Sequence, residues 1–194
     1  MFDINKVIDE LKKTNPNGFI IESHFQVEFG YALKRAYPST TEIVFEWSQD
    51  KNRVDLFAVV GDERIGFEFK YFTKEELVLL NNGLQVQLKQ QAARDLSRIG
   101  FWEDVSELED FKQKKIIDRG FCLLMTNDED IFAKLNPNKN LDYEFEISDG
   151  PKNKGDRVRL NSKGKETHRV KIEHDYDLKH ESYNNMYLLA LEVK

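Results

Sequence analysis

The stretch Arg53-Val-Asp-Leu-Phe-Ala-Val-Val60, then Gly61-Asp62, then Glu63-Arg-Ile-Gly-Phe-Glu-Phe-Lys-Tyr71, reads as two strands joined by a two-residue turn. Glycine at the first turn position suits a type II′ hairpin loop. That loop pairs residues whose numbers sum to 123 and sets Asp55 directly opposite Glu68. Opposed residues hold their Cβ atoms roughly 4.5–5.5 Å apart, so two carboxylates there repel unless a positive group stands between them. Lys70 lies two residues beyond Glu68, on the same face by the period of a strand. The alternate positions Val54, Leu56, Ala58 and Val60, with Ile65, Phe67, Phe69 and Tyr71, form an apolar face. Phe57 and Val59 add apolar residues to the acid-bearing face, so both faces are expected to be covered. An Asp on a covered strand needs a partner or a metal.

The spacing Asp55-x12-Glu68-Phe69-Lys70 resembles the PD-(D/E)XK nuclease superfamily, the restriction-endonuclease-like fold. The resemblance implies that Asp55, Glu68 and the Phe69 backbone carbonyl hold Mg²⁺, with Mn²⁺ able to substitute, and that Lys70 orients or activates the attacking water. One position departs from the motif: Val54 precedes the aspartate where the family's motif has Pro. The family often adds an acid from the helix before the strands, which makes Glu22 a further metal and catalytic candidate. Part of the family carries a Gln, Arg or Tyr stripe on the helix after Glu-x-Lys. Gln91-Ala-Ala-Arg94-Asp95-Leu is similar to that pattern, with Gln91 a catalytic candidate and Arg94 and Arg98 candidates for phosphate contact. The implied activity is a metal-dependent hydrolase acting on DNA, with RNA an open alternative. Many members cut as dimers, so a homodimer is also an expectation. The alternative is a non-catalytic module on the same fold that binds nucleic acid or protein.

Length and composition set the frame. The chain has 194 residues, 40% of them hydrophobic and 14 of them Phe. This fits a single folded domain able to bury on the order of 70% of its unfolded surface. One cysteine, Cys122, sits in the apolar run Phe-Cys-Leu-Leu-Met and reads as a core residue. A single cysteine excludes a disulfide framework and a cysteine-rich zinc site. His24, His168, His174 and His180 show no metal-ligand spacing. No cleavable signal or membrane-spanning run is visible, which makes a cytoplasmic protein without membrane association the expectation.

The net charge of −6 opposes nucleic-acid binding by the surface as a whole. Charge is unevenly spread, however. Pro151–Lys171 contains eight Lys or Arg and two Asp or Glu, a net +6 that leaves −12 for the rest. Within it, Arg157–Leu160 and His168–Ile172 alternate as hairpin arms. Val158, Leu160, Val170 and Ile172 are assigned to one face, and Arg157, Arg159, Arg169 and Lys171 to the other. Such a basic ribbon is either a phosphate-contacting surface or a solvated sheet face.

The remaining expectations are helices at 3–13 and 19–36, the latter with Ile21, Phe25, Phe29, Ala32, Leu33 and Ala36 inward, and a strand at Glu42–Trp47. Thr73-x-x-Glu76 reads as a capping box opening a helical region. A long helix is expected over 84–99, with helical structure continuing to about Lys115. Strands are expected at Gly120–Thr126, Tyr143–Ile147 and Met186–Val193, and one or two helical turns at Asp128–Leu135. The predicted class is α/β: an αβββαβ core at about 19–127 with a mixed central sheet flanked by helices, and a C-terminal β extension at about 141–194.

Overall fold

The computed structural model describes residues 1–15, 18–49, 52–79, 83, 85–90 and 93–194. Helix α1 (Ile4–Thr14) starts at Asp3, whose side chain accepts from the Asn5 N–H, and buries Val7, Ile8 and Leu11. Helix α2 (Glu22–Ala36) buries Phe25, Phe29, Ala32 and Leu33 at helical spacing. Three antiparallel strands follow: β1 (Thr40–Gln49), β2 (Asn52–Val60) and β3 (Glu63–Phe72). A small hairpin, β4 (Glu76–Leu79) and β5 (Gln85–Leu88), precedes helix α3 (Arg94–Gln113). Strand β6 (Arg119–Thr126) then runs parallel to β3. Short 3₁₀ turns occupy Glu129–Phe132 and Tyr143–Phe145. The chain ends with β7 (Gly150–Lys152), β8 (Gly155–Leu160), β9 (Glu166–Ile172), β10 (Tyr176–Leu178), β11 (His180–Tyr183) and β12 (Met186–Val193).

The central sheet is mixed and six-stranded, in the order β1-β2-β3-β6-β12-β11. Its inner strands β2, β3, β6 and β12 are buried on both faces, while the edge strands β1 and β11 are largely exposed, and residue parity sorts the inner ones. Leu56, Ala58, Ile65, Phe67 and Phe69 join Phe25 and Phe29 under α1 and α2. Phe57, Cys122, Leu124 and Leu189 join Trp102, Val105 and Leu108 under α3, and Val170 and Ile172 extend that core from β9. The β2–β3 register is the one the turn demands, pairing Leu56 with Phe67 and Val60 with Glu63. Cys122 is a free, buried core thiol.

Several expectations are corrected. Thr73 and Glu76 cap no helix: Glu76 opens strand β4, and the Thr73 hydroxyl donates to the Lys89 carbonyl. The expected helix over 84–99 is strand at Gln85–Leu88 and helix only from Arg94. Alternating Gln and apolar residues over 85–88 satisfy strand and helix templates equally over so few residues. The strand expected at Tyr143–Ile147 does not form: Tyr143–Phe145 is a 3₁₀ turn. Ile21 stands outside α2, half exposed.

The β8–β9 hairpin forms, but its faces differ from the expected ones. Arg157 pairs with Val170 and Val158 with Arg169. Directly paired residues share a face, so Arg157 points inward with Val170, while Val158 lies outward with Arg169. Arg157 is only 8% exposed, and Leu160, assigned inward, is exposed. The Arg157 guanidinium lies 3.8 Å from the centre of the Trp102 ring and donates to the Glu144 carbonyl at 2.6 Å and the Asn153 carbonyl at 3.2 Å. Arg157→Ala should therefore destabilise the fold by about 1–3 kcal/mol, since it removes the buried ring contact and the two part-buried hydrogen bonds to the Glu144 and Asn153 carbonyls. Chemical denaturation measures this, and a stability within ~0.5 kcal/mol of wild type would mark the residue as an ordinary surface cation.

Candidate functional site

The β2–β3 ladder stops at Leu56–Phe67, one pair short of Asp55 and Glu68. Beyond it, β3 still carries backbone N–H groups that need acceptors. Side chains supply them. Asp55 Oδ2 accepts from the Phe69 N–H at 2.9 Å, and Glu22 Oε2, from the first turn of α2, accepts from the Tyr71 N–H at 2.9 Å. The β1–β2 ladder is also interrupted here: Phe45 pairs with Leu56 and Trp47 with Val54, but Glu46 and Asp55 do not pair. Glu46 adopts a left-handed backbone with φ 52°, which costs a non-glycine residue about 1–2 kcal/mol. Across this break the strand rotates. Val54 packs in the α3-side core and Leu56 in the α2-side core, although residues two apart in a regular strand share a face. Asp55 is thereby turned out of the regular pleat towards the end of β3.

Glu68 is 7% exposed, and Lys70 stands beside it on β3. The Lys70 Nζ lies 2.7 Å from Asp104 Oδ2, on the third turn of α3, without the alignment of a hydrogen bond. Of the nearby carboxyl groups, Asp104 contacts the Lys70 ammonium, while Glu68 and Glu22 feel its charge and are in turn coupled to Asp55. Their electrostatics record the crowding. The Glu68 carboxyl is pushed up to about 10 by burial, then by Asp104 and Asp55, with Lys70 opposing. Burial also raises Glu22, against the Tyr71 hydrogen bond and Lys70. Burial raises Asp104 too, offset in part by Lys70. Burial works against the Lys70 ammonium, but Asp104 outweighs it and holds the lysine above its usual value. The carboxylate of this pair is the deeper partner, at 12% side-chain exposure against 30% for the lysine. Lys70 is therefore charged near neutral pH, and Glu68 is protonated.

The structure thus gathers Asp55, Glu68, Phe69, Lys70 and Glu22 at the end of β3. Asp104 joins them unread from the sequence. It lies 34 residues beyond Lys70 on a helix that begins only at Arg94, ten residues later than the periodicity of 84–99 implies. Gln91 lies outside the described residues, and Gln87 sits on β5 rather than on a helix. The six basic candidates are not part of this cluster, and each is engaged within the chain. Arg94 binds Asp128 at 2.6 Å and Asp130 at 2.8 Å. Arg98 is buried against Asp142 at 3.1 Å and the Ile131 carbonyl at 2.9 Å. Arg159 pairs with Asp95, Arg169 with Asp156 and Glu166, and Lys171 with Glu173. Arg157 stacks on Trp102. The expected four-cation face is therefore not formed.

Among the described residues, no three His, Cys, Asp or Glu side chains stand together as a ready ligand set. The chain matches no known family model, curated protein or solved structure.

The Glu68 carboxyl predicts a pH dependence. With a folded pKa of about 10 against an ordinary 4.5, it binds one proton more in the folded state than in the unfolded state between those limits. Its stabilising contribution is complete below the lower value and is lost as pH rises towards the upper, by up to ~1.4 kcal/mol per pH unit. Glu68→Gln removes this titration. Without divalent cations the variant should be more stable than wild type at about pH 8, and the gap should narrow at about pH 5. Urea denaturation at the two pH values checks it; a gap independent of pH would contradict a protonated Glu68.

Proposed function

We propose that the chain is a Mg²⁺-dependent nuclease hydrolysing phosphodiester bonds in DNA, on the PD-(D/E)XK core. The observation that carries the reading is the convergence of Asp55, Glu68, Lys70 and Glu22, from two strands and a helix, at the end of β3. The topology supports it. Helix α2, the antiparallel run β1-β2-β3, a crossover through α3, and β6 parallel to β3 follow the order that the sequence motif implies.

The donor set suits a hard divalent cation by its chemistry. It is all oxygen, and it holds more negative charge than Lys70 balances, an excess now relieved by protonation of Glu68. Asp55, Glu68 and Glu22 would hold the ion. In an extended strand the N–H and C=O of one residue point to the same side, so the Phe69 carbonyl faces the side on which its N–H meets Asp55. When bound, Mg²⁺ supplies a lowered pKa for a water and charge stabilisation on the phosphoryl oxygens.

The protein's own groups have distinct tasks. The Phe69 and Tyr71 N–H groups each hold one oxygen of Asp55 and Glu22, fixing the direction of the other. Glu68 must give up its proton before it can act as a ligand, so cation binding releases protons. Lys70, held as an ammonium beside Asp104, would orient water or a phosphate oxygen by donating hydrogen bonds.

One observation favours the competing class, a binding module without chemistry: Asp55 and Glu22 already have a structural task in satisfying β3 N–H groups. The internal pairing of the six basic candidates further narrows any duplex-gripping surface.

The test is cleavage of linear, nicked, branched and single-stranded DNA, and of RNA, with Mg²⁺ or Mn²⁺. Glu68→Ala and Lys70→Ala should each lower turnover by about 10²–10⁴-fold. Calorimetry should show Mn²⁺ binding whose heat varies with the ionisation enthalpy of the buffer. Undiminished cleavage by Glu68→Ala removes the nuclease reading; no Mn²⁺ binding together with intact nucleic-acid or protein binding favours the module.

A further inference from the structure

Lys70 is received by α3 in a way the sequence motif does not account for. A Cβ placed on Gly100 would lie 3.1 Å from Lys70 Cε and 3.9 Å from Cδ. Glycine inside a helix weakens it. Here the backbone does not call for one, since Gly100 is absent from the residues of positive φ. Space for the lysine stem is what remains to explain it. Asp104 stands one turn further on, on the same side of the helix. It is 8% exposed, and its Oδ2 meets the Lys70 ammonium at 2.7 Å while finding no aligned hydrogen bond. A carboxylate buried to that degree needs a charged partner, and Lys70 is the cation in ion-pair contact with it.

We propose that Gly100 and Asp104 form a seat for Lys70, Gly100 admitting the stem and Asp104 fixing the ammonium, with Asp104 a positioning residue for the reaction. The catalytic half of this rests on the nuclease reading; the seat itself does not. A free lysine samples many rotamers, and its charge reaches a given point only part of the time. Seated, it presents its ammonium at one place beside Asp55 and Glu68. The lysine side chain keeps 30% exposure, so N–H donors not directed at Asp104 remain open to water or a phosphate oxygen.

The decisive experiment pairs kinetics with a readout independent of activity. Asp104→Asn keeps the shape of the side chain and removes its charge, and Gly100→Ala crowds the end of the stem, with its Cβ 3.1 Å from Lys70 Cε. Single-turnover cleavage by either variant should fall by about 10–10²-fold, with the KM for DNA unchanged and, in Gly100→Ala, the Mn²⁺ affinity unchanged as well. In a Lys70→Ala background neither substitution should lower the rate further, because both act through the lysine. Competitive acylation of lysines, read by mass spectrometry, should show Lys70 more reactive in Asp104→Asn than in wild type. Wild-type turnover with unchanged Lys70 reactivity would overturn the seat. So would a rate loss that persists fully in the Lys70→Ala background. A wild type that cleaves nothing, with Lys70 reactivity still rising in Asp104→Asn, would overturn the nuclease reading while supporting the seat. Gly100→Ala carries the test if Asp104→Asn does not fold.

Discussion

The end of β3 must satisfy backbone donors and balance charge in the same few residues. β3 lies between an antiparallel neighbour and a parallel one, under helices on both faces. Where β2 stops pairing, water cannot take over the freed N–H groups without opening the core. Asp55 and Glu22 take them instead. That solution brings negative charge into a half-buried place already holding Glu68. Two like charges about 5 Å apart, at an effective dielectric constant near 20, repel by roughly 3 kcal/mol. One ammonium offsets one such repulsion and no more, so the remaining excess is taken up by a proton on Glu68. The backbone geometry and the protonation state are two expressions of one requirement.

The strand break at Glu46 and Asp55 belongs to the same arrangement. A regular β2 would continue its pleat past Leu56 and keep its hydrogen bonds to β1. The left-handed Glu46 and the missing pair instead rotate the chain between Val54 and Leu56. Sparsely populated backbone conformations persist where the surrounding structure over-determines them. Here apolar ladders on either side do so: β1 against β2 from Ile43 to Phe45, and β3 against β6 from Ile65 to Phe72.

What the sequence disclosed follows from what is local. A two-residue turn fixes register, so the pairing from Val60–Glu63 to Leu56–Phe67 was legible from Gly61-Asp62; the direct Asp55–Glu68 pair expected from the same register does not form, because the ladder stops one pair short and Asp55 turns to the Phe69 N–H instead. The parallel crossover to β6 was legible because a short continuous apolar run after a helix has few places to go. The β8–β9 hairpin was misread because its five-residue connection, Asn161–Lys165, does not fix parity. A bulge between Arg159 and Leu160 makes the pairing odd-numbered below it, and an odd pairing exchanges Val158 for Arg157 on the inner face. The β4–β5 segment was misread because four alternating residues do not distinguish a strand from one turn of helix. Asp104 could not be found by pattern at all: its significance depends on where α3 crosses Lys70, which is a tertiary fact.

The position of β12 bears on how the molecule is assembled. This strand is an inner strand of the central sheet, hydrogen-bonded to β6 along seven residue pairs, although it comes more than fifty residues later in the chain. Until it is in place, β6 is an open edge of apolar residues, a surface that invites pairing with another chain. During synthesis from the N-terminus, β3 can acquire both of its strand neighbours and its helical cover long before that edge closes. The carboxylate cluster and its lysine therefore belong to the part of the molecule that can be built early, while resistance to aggregation is conferred only when the last strand arrives.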